Sequence, residues 1–117
     1  MSGCPVSGST PEADTANLLV LAGGVDADLA GAKPVFDAIG RMTIHAGPAG
    51  SGARLKLVVN GIMGAGLAAA AEGLSYGLAA GLDRTMLFDA MYELAVISPP
   101  HQRTITMAQV GDFSSPF

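Results

Sequence analysis

From residue 53 to about residue 80 the chain follows one long helical pattern, and between Lys56 and Glu72 it carries no charge. That run, LVVNGIMGAGLAAAA at 57–71, has fifteen residues, short of the ~20 needed to span a bilayer. Lys56 and Glu72 bracket it, and it is rich in Gly and Ala rather than Leu and Ile. It is therefore expected to be a buried helix with no membrane contact, with Ser51 as N-cap and Gly81 as stop. Buried on most of its girth, it demands other elements to cover it.

Few other residues are available to do so. The chain has 117 residues, 50% of them apolar, 14% charged and 5% aromatic, with 16 Gly. That suits one domain or two half-domains burying roughly two thirds of the unfolded surface. The apolar fraction and a net charge of −4 exclude a disordered chain, and the single Cys4 excludes a disulfide scaffold. The basic side chains, Lys33, Arg41, Arg54, Lys56, Arg84 and Arg103, build no cationic face, so a nucleic-acid partner is excluded. The start, MSGCPVSGST, lacks the basic and apolar regions of a secretion signal, which leads us to expect a cytoplasmic protein.

Ahead of the long helix the grammar is α/β. LLVLA at 18–22, closed by Gly23-Gly24, reads as a strand. Residues 26–40 read as an amphipathic helix capped by Asp26, kinked or restarted at Pro34 and ended by Gly40. RMTIHAG at 41–47 reads as a second strand, parallel to the first across the helix. With a strand at 3–7, the sheet keeps open edges, for which a dimer or a swapped arrangement is the expected compensation. Gly47-Pro48-Ala49-Gly50-Ser51-Gly52 is the clearest breaker. Beyond it only helices follow: the long one, then 84–96 capped by Asp83, then, after Ser98-Pro99-Pro100, about 101–110. The fold class is α/β followed by all-α, divided into 1–47 and 48–117.

Three motifs fall in or near the long helix. Gly64-Ala65-Gly66-Leu67-Ala68-Ala69 fits the dinucleotide pattern G-x-G-x-x-A, but no second strand follows it before Asp83. Glycines that let another helix approach are the better account, since each mid-helix Gly costs ~1 kcal/mol against Ala. Gly73-Leu74-Ser75-Tyr76-Gly77 fits G-x-S-x-G, with Asp89 and His101 following, yet its serine sits mid-helix with no parallel sheet beneath. The same residues begin a stripe, Gly73, Gly77 and Gly81, that reads as tight helix packing. Lys56 and Asn60, four apart, share a helix face. Lys56 is either a lysine snorkelling at the helix edge or one stripped of water and able to exchange a proton; periodicity leaves both open. The polar stretch 5–10 is a turn whose N–H groups can cradle an anion. His45 and His101 have no ligand-spaced partners, so no metal site is expected.

Taken together, PVSGS at 5–9, LLVLAGG at 18–24 and GPAGSGARLKLVVNGIMG at 47–64 resemble the β-hydroxyacid dehydrogenase family, which includes 3-hydroxyisobutyrate dehydrogenase. The family pattern G-x-x-G-x-G-x-x-x-K-x-x-x-N is met in full by Gly47, Gly50, Gly52, Lys56 and Asn60. The wording at 55–64, EGL at 72–74, AGLD at 80–83 and DFSSPF at 112–117 leans toward the glyoxylate/succinic semialdehyde reductases. The resemblance implies the last strands of a Rossmann-type domain, a long interdomain helix and a partial helical domain for substrate binding and dimerisation. It implies NAD or NADP as cofactor in the family and a small carboxylate-bearing aldehyde or hydroxy acid as substrate. Lys56 corresponds to the catalytic lysine, and Asn60 to the residue orienting the reacting oxygen. Ser7, Gly8 and Ser9 correspond to the loop holding the substrate carboxylate, and Phe117 to an aromatic closing the pocket.

Departures are mild at two places: many members have Gly where Ala16 stands, and SGG where this chain has Ser7-Gly8-Ser9. The main dinucleotide motif is absent, so the cofactor-binding residues are unknown. The expectation is a fragment of an NAD(P)-dependent oxidoreductase, inactive alone and binding cofactor weakly or not at all. The alternative is a non-catalytic helical module that associates with its own copies through the Gly/Ala helix.

Overall fold

The apolar run that opens at Leu18 forms the strand on which the sheet is assembled. A computed structural model describes residues 2–112. In chain order the elements are β1 (Val6–Ser7), α1 (Thr10–Asp14), β2 (Leu18–Gly23), α2 (Asp26–Ile39), β3 (Gly40–Gly47), α3 (Ser51–Ala79), α4 (Arg84–Glu93) and α5 (Pro99–Val110). The class is α/β followed by all-α. The sheet order is β1-β2-β3. β1 is antiparallel to β2, with Val6 opposite Val20 and Ser7 opposite Leu19, and β3 is parallel to β2, with Val20 opposite Thr43. β2 is central, and its Val20 and Ala22 are fully buried with Phe36 of α2, ringed by Cys4, Val6, Leu29 and Ala32. Burial of a side chain such as Val20 or Phe36 stabilises by roughly 1.5–3 kcal/mol, and this small cluster is what holds α2 on the sheet.

Two compact units divide the chain, one through Asn60 and the other from Gly61. In the second, Leu87, Phe88 and Ile105 are buried. Asp83 caps α4, its carboxylate accepting from the Met86 N–H at 2.9 Å. Arg84 stacks over Phe88 at 4.8 Å, and the Tyr92 hydroxyl lies 3.0 Å from both Thr106 Oγ1 and Gln109 Oε1. The glycine pattern at 64–69 is helical packing: a Cβ at Gly66 would strike the His101 ring, whose Nε2 lies 2.7 Å from the Met63 carbonyl. The stripe at 73, 77 and 81 is not one packed face. Leu87 approaches Gly77, Gly73 meets open space, and Gly81 takes φ +87 to end α3.

Several expectations need correction. Asp26 does not cap α2; Val25 is the N-cap, and Asp26 stands in the first turn, where its charge faces the positive helix end. Pro34 neither breaks nor restarts α2, because it and Ala30 are exposed and the carbonyl it deprives can turn to water. Ser51 is the first residue of α3 rather than its cap, its N–H donating to Pro48 O. α4 stops at Glu93, where Leu94 turns extended, and α5 starts at Pro99 because prolines need no N–H in a first helical turn. α1 was not expected; the stretch at 9–12 carries its signal, a capping box between Ser9 and Glu12 with Pro11 inside. The burial expected for α3 fails most clearly. Leu57 is 72% and Ile62 69% exposed, because a three-stranded sheet and two short helices have too little surface to cover 29 residues of helix. By length and composition α3 is long and apolar enough to cross a membrane.

α1 ends in a Schellman turn, with Asn17 N–H on Glu12 O and Ala16 N–H on Ala13 O, and Ala16 takes φ 53. A left-handed conformation costs an L-residue about 1–2 kcal/mol, part of which glycine loses again to chain entropy. Ala16→Gly should therefore raise stability by about 0.5–1 kcal/mol. Gly52→Ala should lower it by about 2–3 kcal/mol, because a Cβ there would strike the Leu21 carbonyl oxygen. Urea unfolding followed by circular dichroism reads both, and equal midpoints for the two variants would refute this packing.

Candidate functional site

The three glycines of the G-x-x-G-x-G stretch answer three backbone demands. Gly47 takes φ +120 and Gly50 φ +87, which turn the chain out of β3 and into α3. Gly52 is the only buried residue in the first ten of α3, and a Cβ there would meet the carbonyl oxygens of Leu21 and Gly3. The other side of the contact is also glycine, since a Cβ on Gly23 would come within 2.7 Å of Gly52 N. Backbone therefore packs on backbone, and the first turn of α3 is seated on the end of β2.

Lys56 and Asn60 follow Gly52 at intervals of four, so the three residues share one helix face with a drift of ~40° per step. Lys56 is half-buried and Asn60 exposed. Among the described residues no hydrogen bond or ion pair engages either side chain. Both are polar groups held at a helix start, with their hydrogen-bonding capacity unspent among the described residues.

Ser7, Gly8 and Ser9 leave β1 at the opposite end of β2. Gly8 takes φ +135, and a Cβ there would press on Leu18 and Glu12. Ser9 donates twice to one oxygen of the Glu12 carboxylate, from its N–H at 2.8 Å and its hydroxyl at 3.0 Å. The loop is thus fixed in a shape that gathers donors around a carboxylate, and in this chain that carboxylate is its own. From Leu21 back to Leu18 is about 10 Å of strand. From Gly52, α3 advances about 6 Å to Lys56 and about 12 Å to Asn60. No hydrogen bond joins the loop to Lys56 or Asn60 among the described residues. Phe117 lies outside the described residues.

A shallow groove of about 390 Å³ between α2 and β3 contains none of these residues. Its charged groups and its histidine have partners: Lys33 lies 2.6 Å from Asp37, and His45 lies 3.5 Å from Asp26 and 3.1 Å from the Gly24 carbonyl. Among the described residues no three of His, Cys, Asp and Glu gather as metal ligands do. Glu12 is the residue at the loop that sequence reasoning missed, although the Ser-x-x-Glu spacing announces it.

Residues 1–47 match the family model described as the NAD binding domain of 6-phosphogluconate dehydrogenase. Over 95 residues the chain is 38% identical to glyoxylate/succinic semialdehyde reductase 1 of Arabidopsis thaliana, covering 81% of this chain and 33% of that protein. The crystal structure of a 3-hydroxyisobutyrate dehydrogenase from Salmonella typhimurium superposes with a TM-score of 0.89 at 26% identity, over 100% of this chain and 41% of that one. That match runs through the whole of α3, so the helix has a counterpart in a dehydrogenase. A structure of Psf3 in complex with NADP+ superposes with a TM-score of 0.84 at 26% identity, over 99% of this chain and 41% of that one. The chain spans between a quarter and a third of the length of the curated relatives it matches.

Because the side chains of Lys56 and Asn60 make no hydrogen bond or ion pair among the described residues, Lys56→Ala and Asn60→Ala should each leave the unfolding midpoint within about 0.5 kcal/mol of the parent. A loss above 2 kcal/mol in either variant would make that residue structural.

Proposed function

We propose, from the premise that this chain belongs to the β-hydroxyacid dehydrogenase family, that it is the substrate-handling middle of an NAD(P)-dependent oxidoreductase. The substrate class is a short carboxylate-bearing aldehyde or the corresponding hydroxy acid. The observation that carries this is Lys56, without a partner among the described residues, one turn beyond the glycine seat of α3 and one turn before Asn60. Lys56 Nζ hands a proton to the carbonyl oxygen during reduction and takes it back from the hydroxyl during oxidation. The Asn60 amide orients that oxygen. Ser7, Gly8 and Ser9 hold the carboxylate through backbone and hydroxyl donors; Phe117, to which the resemblance gives the closing of the pocket, lies outside the described residues.

The residues here suit the substrate and not the dinucleotide. The chain's G-x-G-x-x-A lies inside α3 with Gly66 against His101, where it cannot cradle a pyrophosphate. The nicotinamide, when bound in the intact enzyme, supplies the hydride. The 117 residues alone should therefore reduce glyoxylate or succinic semialdehyde negligibly with NADH or NADPH, followed by absorbance of the reduced cofactor. Appreciable turnover would overturn this division of labour. In an enzyme completed with a dinucleotide-binding unit, Lys56→Ala should lower kcat about 10²–10⁴-fold.

One observation favours a second role. Leu57, Val58 and Ile62 are 72%, 56% and 69% exposed on α3, an apolar surface suited to a second copy of the chain. Light scattering across a concentration series should then show a dimer that Ile62→Glu dissociates. A monomer at every concentration would contradict self-association, and partition into detergent would point to a lipid surface instead.

A further inference from the structure

α3 carries two opposite charges that find no partner among the described residues. Arg54 and Glu72 are both exposed, and neither enters an ion pair or a side-chain hydrogen bond there. They stand about five turns apart on one line of the helix, roughly 27 Å from end to end. Between them Val58, Gly61, Ala65 and Ala68 continue the same side in alternating steps of four and three, the spacing with which one helix faces another. All four are exposed, Val58 by 56%. Gly61 meets nothing within 4 Å, unlike Gly66 and Gly77, which His101 and Leu87 approach. Lys56 lies about half a turn round the helix from this line, so a partner seated on it leaves the lysine clear.

The line is self-complementary. Laid antiparallel on a copy of itself about the level of Met63, it brings Gly61 level with the partner's Ala65 and Val58 level with the partner's Ala68. Arg54 then faces the partner's Glu72, and by symmetry the same pair forms at the other end. Leu57, 72% exposed, falls beside the partner's Ala68, so a large side chain meets a small one. A parallel pair would instead set Arg54 against the partner's Arg54, and like charges facing each other reject that alignment. We infer that α3 pairs antiparallel with α3 of a second copy of this chain, held in register by reciprocal ion pairs between Arg54 and the partner's Glu72. The inference rests on the self-association proposed above and adds its direction and register. Exposed ion pairs add little affinity by themselves. The apolar line supplies the affinity, and the charges choose the alignment.

Charge reversal tests the register. Arg54→Glu, Glu72→Arg and the double variant are compared with the parent 117-residue chain by sedimentation equilibrium, with circular dichroism confirming native helix content in each. Each single reversal puts like charges at both ends and should raise the dimer dissociation constant about tenfold at low salt, less at high salt. The double variant restores opposite charges and should return to within about threefold of the parent. Direction is read separately: Gly61→Cys and Ala65→Cys chains, each also carrying Cys4→Ser, are mixed and oxidised. They should cross-link to each other faster than either does to itself. A dimer that single reversals leave unchanged, or that the double variant fails to restore, overturns the register while self-association stands. Faster linking of each chain to itself overturns the antiparallel direction in the same way. A monomer at every concentration removes self-association and the inference with it. Uptake of the chain into detergent micelles as a monomer does the same and marks a lipid surface.

Discussion

The contact between the first turn of α3 and the end of β2 is the constraint from which the remaining arrangement follows. It is made of backbone on both sides, with Gly52 against the Leu21 carbonyl and Gly23 against the Gly52 nitrogen. No side chain larger than hydrogen fits there. The entry of a 29-residue helix is thereby set relative to the strand that also carries β1 and its loop. Lys56 and Asn60 take their place from that seat by helical arithmetic, and Ser7 takes its place from the pairing with Leu19. One strand is the reference for both parts of the proposed site.

The division of chemistry follows from what each part has to offer. The loop after β1 gathers hydrogen-bond donors around a carboxylate, a shape suited to anchoring. The start of α3 offers an ammonium and an amide with no partner among the described residues, a pair suited to a reacting oxygen. Neither offers a pyrophosphate cradle. That matches a chain whose superposition on a 3-hydroxyisobutyrate dehydrogenase takes in all of it but 41% of the larger protein.

Much of this was legible in the residues. The β2–α2–β3 crossover was readable from an apolar run, a period of 3.6 and two glycine exits, because each signal is local. The helical pattern of α3 was equally clear, and its glycine motif was correctly set aside, since no second strand follows. Burial was not legible. Whether Leu57 or Ile62 is covered depends on what surface the rest of the molecule can bring, and periodicity says nothing about that. That α2 runs on through Pro34 without restarting was not legible either, because a proline's cost depends on whether the abandoned carbonyl can reach water, which is a tertiary fact. Glu12 is different: the Ser-x-x-Glu spacing at 9–12 spells a capping box, whereas a turn rich in N–H groups signals only what it can bind from outside. Ala16 shows the reverse, a departure noted in the sequence that acquires its meaning once φ 53 places it where glycine is favoured.

Lys56 and the Ser7–Ser9 loop are proposed to belong to one site although they are seated at opposite ends of β2. The chain has two lysines, Lys33 and Lys56, and Lys33 is paired with Asp37 at 2.6 Å, so it serves as an internal reference. In a chain labelled with ¹³C at lysine Cε, a carboxylate-bearing substrate analogue such as 3-hydroxyisobutyrate is titrated while the Lys56 signal and the Gly8 amide are followed together. One shared site predicts that both move with the same dissociation constant while Lys33 stays still. Movement of Gly8 with Lys56 unchanged would place the lysine outside the site and contradict the account.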